Sequence, residues 1–208
     1  MKFVTISDTH GQHNNLKLPQ ADVIIHAGDI TKSGNKEETV EFLTWFAELP
    51  FTYKIFIAGN HDFFFEESSE AEIKNLIPLN VIYLCNSSVI INGIKIWGSP
   101  ITPYFFNWAF NRHRGDDISR YWDLIPNDTN ILITHGPAFS ILDKTARKLD
   151  VGCEDLLNRI QEVKPKYHIC GHIHEAYGQS KKEATYYINA SVLDEHYSIK
   201  NNPVEFEL

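Results

Sequence analysis

The sequence predicts an α/β protein in which two mixed β-sheets pack against each other and carry helices on their outer faces. Three observations predict this fold class. Short apolar runs with strand-like composition alternate with polar loops and helical patterns along much of the chain. Successive strands without intervening helices interrupt this alternation between residues 81 and 97. No repeat, low-complexity stretch or long linker divides the sequence, so we expect residues 1–208 to form a single domain.

The first part of the sequence predicts three strands and two helices. In the first helix, Val40, Leu43 and Phe46 recur at helical spacing. Asn35 is placed to cap its first turn, and Glu38 is expected to reach back to the cap residue. The predicted strands cover residues 3–6, 23–25 and 53–58, and the predicted helices cover residues 35–49 and 69–76.

The second part predicts seven strands and one helix. The dipeptide Asn92-Gly93 joins two of the strands and indicates a type I′ hairpin. From Ser99 to Arg114 the chain is rich in aromatic residues and shows no regular period. Helical spacing returns from Cys153 to Val163, and Pro165 limits that helix. The predicted strands cover residues 81–84, 88–91, 94–97, 130–134, 167–170, 185–188 and 204–206.

Composition and charge restrict the possible functions. The chain has 208 residues, of which 43% are hydrophobic, and a formal net charge of −8. This charge argues against nucleic acid as the main partner, because proteins that bind its backbone carry basic patches. No apolar run approaches the ~20 residues needed to cross a membrane, and no signal peptide precedes Asp8. The three cysteines lack metal-type spacing, so we expect a protein of the reducing cytoplasm.

Five polar motifs follow predicted strands, each at the point where an apolar run ends. In open α/β sheets, ligands gather at the carboxyl ends of the strands. Several loops with carboxylate and imidazole groups at that edge predict a site for two divalent cations, which can activate water and bind phosphate. The motifs are Asp8-Thr9-His10, Gly28-Asp29, Gly59-Asn60-His61-Asp62, His135-Gly136 and Gly171-His172-Ile173-His174.

Each motif supplies a donor that suits a divalent cation. Asp8 and His10 are two residues apart, which allows them to meet one cation together. Asp29 follows a glycine that permits a tight turn, and its two oxygens make it the natural bridge between two metals. The spacing of His172 and His174 allows either a shared cation or one cation each. With Asn60 and His135 as further candidate ligands, this oxygen and nitrogen set suits manganese, iron or zinc, with manganese and iron favoured.

His61 and Asp62 are interpreted as catalytic rather than metal-binding residues. If Asn60 faces the metals, His61 points elsewhere, where it can stabilise charge in the transition state or protonate the leaving oxygen. Asp62 is expected either to orient the His61 ring or to form an ordinary loop salt bridge. Other histidines are expected to be structural, namely His13, His26, His113, His168 and His196.

In this order, the motifs resemble the calcineurin-like metallophosphoesterases, whose pattern is D-x-H, G-D, G-N-H-[DE], G-H and G-H-x-H. The resemblance spans residues 8–174, and all five blocks are intact. It implies a four-layer αββα sandwich, a catalytic imidazole at His61, and a metal-bound hydroxide as nucleophile. The ligands that it implies are Asp8, His10 and His174 for one metal, Asn60, His135 and His172 for the other, and Asp29 between them.

Segments outside the motifs resemble the metallophosphoesterase-domain-containing branch of that family. Members of this branch are phosphodiesterases with loose substrate preference that includes cyclic nucleotides. Some animal members replace the first histidine of G-H-x-H and act weakly, whereas this chain keeps His172, so we expect an active enzyme. The matching segments are Trp97-Gly98-Ser99-Pro100, 106–111, Arg114-Gly115, Thr134-His135-Gly136-Pro137, Val151-Gly152-Cys153 and Asn189-Ala190-Ser191.

The sequence leaves three functions in competition, of which hydrolysis of small phosphodiesters is favoured. The alternatives are a phosphomonoesterase or protein phosphatase with the same metals, and a nucleotide-binding module with little turnover. Asn60 and His61 are expected to contact the substrate. Arg114 is expected either to clamp a phosphate or to pair with a nearby aspartate. The aromatic segment 104–110 either stacks on a nucleobase or packs in the core, and the oligomeric state is not defined.

Overall fold

A computed structural model describes all residues from 1 to 208. It contains thirteen strands and five α-helices, mixed along the chain. The strands are β1 (Lys2–Ile6), β2 (Val23–Ala27), β3 (Tyr53–Ile57), β4 (Ile82–Tyr83), β5 (Ser87–Ile91), β6 (Ile94–Ser99), β7 (Thr102–Pro103), β8 (Asn111–Arg112), β9 (Ile131–Thr134), β10 (Tyr167–Cys170), β11 (Gly178–Lys182), β12 (Thr185–Asn189) and β13 (Val204–Glu207). The helices are α1 (Lys36–Glu48), α2 (Phe63–Glu67), α3 (Glu70–Leu76), α4 (Asp116–Trp122) and α5 (Glu154–Val163).

Two mixed sheets form the centre of the structure, and β7 and β8 pair separately. The first sheet has the order β13-β1-β2-β3-β4, and the second has the order β11-β12-β10-β9-β6-β5. In the first sheet only β13 runs antiparallel to its neighbour. In the second sheet the antiparallel strands are the two edge strands, β5 and β11. The remaining strands are parallel, so their carboxyl ends share one edge in each sheet.

Alternating side chains along the strands separate the interior into layers. The inward residues of both sheets, such as Ile25 and Ile133, form one apolar cluster between the sheets. The outward residues of the strands, such as Ile24 and Leu132, pack with residues of α1 and α5, including Phe42 and Leu156. The predicted four-layer αββα arrangement of two mixed sheets and outer helices is therefore confirmed. No helix in it is both long and apolar enough to span a lipid bilayer.

Local sequence signals account for most element boundaries. Asn35 caps α1 by accepting a hydrogen bond from the Glu38 amide at 2.9 Å, as predicted. The prediction that the Glu38 side chain reaches back to the cap residue is wrong. Its carboxylate accepts instead from the amides of Lys32 and Ser33. Asn92 and Gly93 have φ angles of 49° and 82°, which fits the predicted type I′ turn.

Five elements were absent from the sequence prediction, and the shortest of them are the two-residue strands β7 and β8. Helix α2 follows the third motif directly, and α4 follows the irregular aromatic segment. Strand β11 adds an exposed edge to the second sheet. These elements are short or largely polar, so neither helical spacing nor strand alternation marks them clearly.

Candidate active site and metal centre

The five motifs meet at the carboxyl ends of the parallel strands. Asp8, Asp29 and Asn60 follow strands β1, β2 and β3 of the first sheet. His135 and His172 follow strands β9 and β10 of the second sheet. Because the two sheets pack face to face, the ends of these strands bring all seven predicted ligands into one cluster. The donor atoms of six of them form two groups, each with atoms within 4.8 Å of one another, namely Asp8, His10 and His174, and Asp29, His135 and His172.

The first group is arranged around the buried carboxylate of Asp8. This carboxylate accepts a hydrogen bond of 2.7 Å from the Ser191 hydroxyl and one of 3.0 Å from the His172 amide. One of its oxygens lies 3.5 Å from Nε2 of His174. Ser191 was part of the sequence resemblance but had no assigned role, and the structure shows that it holds Asp8 in place.

Asp29 belongs to the second group and also faces the first. Its Oδ2 is 3.6 Å from Nε2 of His10 in the first group and 3.3 Å from Nε2 of His135 in the second. The amide oxygen of Asn60 is 2.9 Å from the same nitrogen of His135. His172 belongs with His135, whereas the first group contains His174. Of the two arrangements that the spacing of the last motif allowed, the structure shows the one in which its histidines separate.

The histidine tautomers suit metal binding. Nδ1 of His10, His135 and His174 lies 3.2, 2.9 and 2.9 Å from the backbone carbonyls of residues 31, 27 and 194, respectively. A carbonyl only accepts, so each Nδ1 carries a hydrogen, and Nε2 is the nitrogen that faces the cluster and can bind a cation once it is deprotonated. Nε2 of His10 is buried and has no hydrogen-bond partner. These oriented nitrogens and the two carboxylates fit divalent cations.

The charges of the cluster stabilise one another in the absence of a cation. Burial opposes ionisation of Asp8, but the hydrogen bond and charge of His174 hold the pKa of that carboxyl well below its usual value. Burial would likewise lower the pKa values of His135 and His174, but the carboxylates of Asp29 and Asp8 raise both to about 9. Burial lowers the pKa of His172 to about 4, so that ring is neutral.

Metal loading should therefore depend on pH. His135 and His174 hold protons at neutral pH in the metal-free protein, and each must lose its proton before it can bind a cation. Affinity for Mn²⁺ should rise with pH and level off above about 9, and binding should release protons. Calorimetric titrations at pH 6, 7 and 8, each in two buffers with different ionisation enthalpies, would measure both effects. An affinity that stays constant across this range would contradict the raised pKa values.

The backbone near the cluster adopts left-handed conformations that glycine alone takes easily. Gly28 has a φ angle of 99°, and this turn directs Asp29 inward as the sequence predicted. A Cβ atom on Gly171 would collide with the Asp8 carboxylate, so only glycine allows the approach of the last motif. Asp8 and Asp29 have φ angles of 54° and 55°, and such strain is typical of functional sites.

His61 lies at the surface of the cluster. Its amide donates to Oδ1 of Asp29 at 2.8 Å, and its Nδ1 donates to the Lys32 carbonyl at 3.0 Å. One ring nitrogen lies within 4.8 Å of donor atoms of His10 and Asp29. The ring also stacks on Trp108, with centroids 4.1 Å apart and an interplanar angle of 27°. Contrary to expectation, His61 faces the cluster instead of pointing away from it.

The expected contact between Asp62 and the His61 ring is wrong, and so is the salt bridge considered as its alternative. The buried Asp62 carboxylate accepts hydrogen bonds from the amides of Gly59 and Thr31 at 2.7 and 2.9 Å, and from the Thr31 hydroxyl at 2.6 Å. It also accepts from the Ile30 amide at 3.2 Å. Asp62 thus joins the second and third motif loops, while the carbonyl of Lys32 orients His61. These contacts give the Asp62 side chain a structural role in the two loops.

Two aromatic residues lie beside the cluster, and of these only Trp108 belongs to a segment, 104–110, for which the sequence allowed a role at the site. Tyr197 lies with its ring centroid 5.0 Å from that of His10 and 5.2 Å from that of His174. Trp108 covers the outer face of His61. Both line the cavity above the cluster, which has a volume of about 200 Å³. The aromatic composition near Trp108 was a signal, whereas nothing local in the sequence marks Tyr197.

A second cavity of about 280 Å³ adjoins this one and shares Phe105, His172 and Ile173 with it. Arg114 lies in its wall and donates to the carbonyls of Gly152 and Val151 at 2.8 and 2.9 Å. Pairing of Arg114 with Asp116 or Asp117 was one predicted alternative, and the structure shows these carbonyl contacts instead. We call this space the side cavity.

The fold, the motifs at the strand ends and the clustered donors define a metal-dependent phosphoesterase. The model of the calcineurin-like phosphoesterase family matches residues 1–176, and the chain belongs to this family. It is 40% identical over 230 residues to metallophosphoesterase domain-containing protein 1 of Homo sapiens, with 100% of this chain and 71% of that protein covered. The protein of the same name from Mus musculus has the same identity and coverage.

Among solved structures, the chain is similar in fold to phosphopantetheinyl hydrolase from Mycobacterium tuberculosis. The TM-score is 0.64, the sequence identity is 13%, and the alignment covers 94% of this chain and 90% of that one. At this level of identity the likeness extends to the fold alone. The predicted family and fold class are thus confirmed, and the fold of this family implies divalent metal ions.

Proposed function

We propose that this protein is a dinuclear metallophosphodiesterase that hydrolyses small phosphodiesters, including cyclic nucleotides. Asp8, His10 and His174 would hold one divalent cation, Asn60, His135 and His172 would hold the other, and Asp29 would bridge them. The arrangement of donors around Asp29 supports this assignment. When bound, two such cations lower the pKa of a water molecule and neutralise the charge of a phosphate.

The metals that we propose are manganese or iron, with zinc as the third choice. The donors are carboxylate oxygens, an amide oxygen and imidazole nitrogens, and the three cysteines lie outside both groups. This mixture of oxygen and nitrogen ligands suits these metals better than magnesium or copper(I). All three thiols are unpaired, which supports the cytoplasm as the proposed location.

The side cavity is the observation that carries the choice of a diester. A phosphodiester has two organic groups, whereas a monoester has one. The cavity above the donor cluster and the side cavity meet at His172, so a phosphate bound there can extend one group into each. Phe105 and Tyr104 provide apolar contact in the side cavity, and Arg114 provides a cation at its wall.

The test is the ratio of diester to monoester hydrolysis. Metal-stripped protein is assayed with bis-p-nitrophenyl phosphate and p-nitrophenyl phosphate before and after addition of Mn²⁺. We expect metal-dependent turnover with a higher kcat/KM for the diester. Preference for the monoester would assign the protein to the phosphomonoesterases. Two bound metals with nucleotide binding but no turnover of either ester would indicate the nucleotide-binding module.

Arg114→Met should raise the KM for the diester by about tenfold and leave the monoester almost unaffected, because a charge-assisted hydrogen bond contributes on this order. Arg159→Met is the matched control. Its guanidinium also donates to a backbone carbonyl, that of Ile125, but it lies on α5 and lines neither cavity. Equal effects on both esters would show that Arg114 only supports the loop at residues 151–152.

A further inference from the structure

Two buried histidines outside the donor groups make the same contact in the two sheets. Nε2 of His26, on β2, lies 3.0 Å from the Thr9 hydroxyl. Nε2 of His168, on β10, lies 2.8 Å from the Thr134 hydroxyl. Both rings are essentially inaccessible, and neither Nδ1 has a hydrogen-bond partner. Burial lowers the pKa of each to about 3, so both rings are neutral at physiological pH.

Each threonine is adjacent to proposed metal ligands. Thr9 lies between Asp8 and His10 of the first group, and Thr134 directly precedes His135 of the second. In both sheets the histidine is on the parallel strand next to the one that leads to the threonine, β2 beside β1 and β10 beside β9. Each donor group therefore has one histidine–threonine pair directly beside its ligands.

The donor and the acceptor can be assigned in the pair formed by His168 and Thr134. The Thr134 hydroxyl has one hydrogen, which it donates to the Gly136 carbonyl at 2.7 Å. It must therefore accept from His168, whose Nε2 carries the hydrogen. Through Thr134, the strand β10 is joined to both sides of His135. Because His135 is also fixed by the Ala27 carbonyl, its ring has little freedom before a cation binds.

The turns that these pairs support are strained. Asp8 and His10, on either side of Thr9, have φ angles of 54° and 41°. His172, beyond the strand that carries His168, has a φ angle of 67°. Residues other than glycine keep such angles only where the surroundings hold them. Apolar residues at positions 26 and 168 would fill the same space but would leave the two threonine hydroxyls without these contacts.

We propose that His26 and His168 are positioning residues that fix the backbone turns carrying the proposed metal ligands before a cation binds. His26 acts through Thr9 on the ligands of the first cation, and His168 acts through Thr134 on those of the second. This inference rests on the proposed dinuclear centre. It assigns a function to two histidines that the sequence marked only as structural. It also predicts that each pair affects one cation more than the other, which a general contribution to stability would not do.

The test is Mn²⁺ binding measured by calorimetry in the absence of substrate. Thr134→Val keeps the shape of the side chain and removes its hydroxyl. We expect this variant to lower the affinity for one of the two Mn²⁺ ions, that is, for one binding equivalent, by about 10–100-fold. This is the range for groups that orient ligands. Thr9→Val should weaken the other equivalent by a similar factor. Thr134→Ser, which keeps the hydroxyl, should restore binding.

Two further variants separate positioning from stability. Thr185→Val is the matched control, because the Thr185 hydroxyl is buried and donates to a carbonyl, that of Pro165, at 2.7 Å, outside the donor groups. It should lower the unfolding temperature without changing either equivalent. In a His172→Gly background, which retains the first site, Thr9→Val should still weaken binding and Thr134→Val should not.

Two results would overturn the inference. Thr9→Val and Thr134→Val could lower both equivalents equally, in proportion to lost stability as in Thr185→Val, which would show that the pairs only support packing. Alternatively, the unmodified protein could fail to bind two cations. That second result would refute the proposed dinuclear centre itself and is recognised before any variant is measured.

Discussion

Replacing Asp29 by asparagine should abolish binding of both metal ions and reduce phosphoester hydrolysis to the level of chelator-treated protein. Asp29 is the one carboxylate that faces both donor groups, 3.6 Å from His10 and 3.3 Å from His135. Loss of its charge removes the negative group that two cations would share. The asparagine oxygen can still accept from the His61 amide, so the loop should keep its position. Metal content by mass spectrometry and diester hydrolysis measure the two effects.

The control for this variant is Asp22→Asn. The Asp22 carboxylate also accepts from a backbone amide, that of Lys2 at 2.8 Å, but it is remote from the site. The Asp22→Asn variant should therefore keep the metal content and the activity of the unmodified protein. If Asp29→Asn retained one tightly bound cation and substantial activity, Asp29 would belong to a single metal and the bridge would be refuted.

The parts of this site that the sequence predicted depend on local spacing. An apolar strand followed by a polar motif places the motif at the carboxyl edge of a sheet, and Asp8, Asp29, Asn60, His135 and His172 all lie there. The tight turn at Gly28 was predicted from the conformational freedom of glycine, and the φ angle of 99° agrees with this prediction. The layers of the fold follow from the alternation of apolar residues along the strands.

The parts that the sequence did not predict depend on contacts between distant segments. Asp62 is adjacent to His61, yet its carboxylate bonds to residues about thirty positions earlier in the chain. Trp108 reaches His61 across 47 positions, and Arg114 finds its carbonyl partners almost 40 positions later. Chain neighbours suggested a partner for Asp62 and for Arg114, and in both cases tertiary packing supplied a different one.

Replacing His61 by alanine should slow hydrolysis by ~10²–10⁴-fold, the range for general acid–base groups, while both metals stay bound. The His61 ring is at the rim of the cluster and is fixed by the Lys32 carbonyl and the face of Trp108. The first donor group keeps its three ligands without it. Metal content and kcat of the same preparation test this together, and loss of a cation would make His61 a ligand instead.

The leaving group then distinguishes the two roles that remain for His61. If its imidazole protonates the leaving oxygen, a diester with a poor alkyl leaving group depends on it strongly, whereas a p-nitrophenyl diester leaves readily without a proton. His61→Ala should then slow the alkyl substrate far more than the aryl one. If the ring only stabilises charge on the phosphate, both substrates should slow by the same factor. We propose the first role, protonation of the leaving oxygen, because the His61 ring lies near Asp29 and lines the cavity above the donor groups.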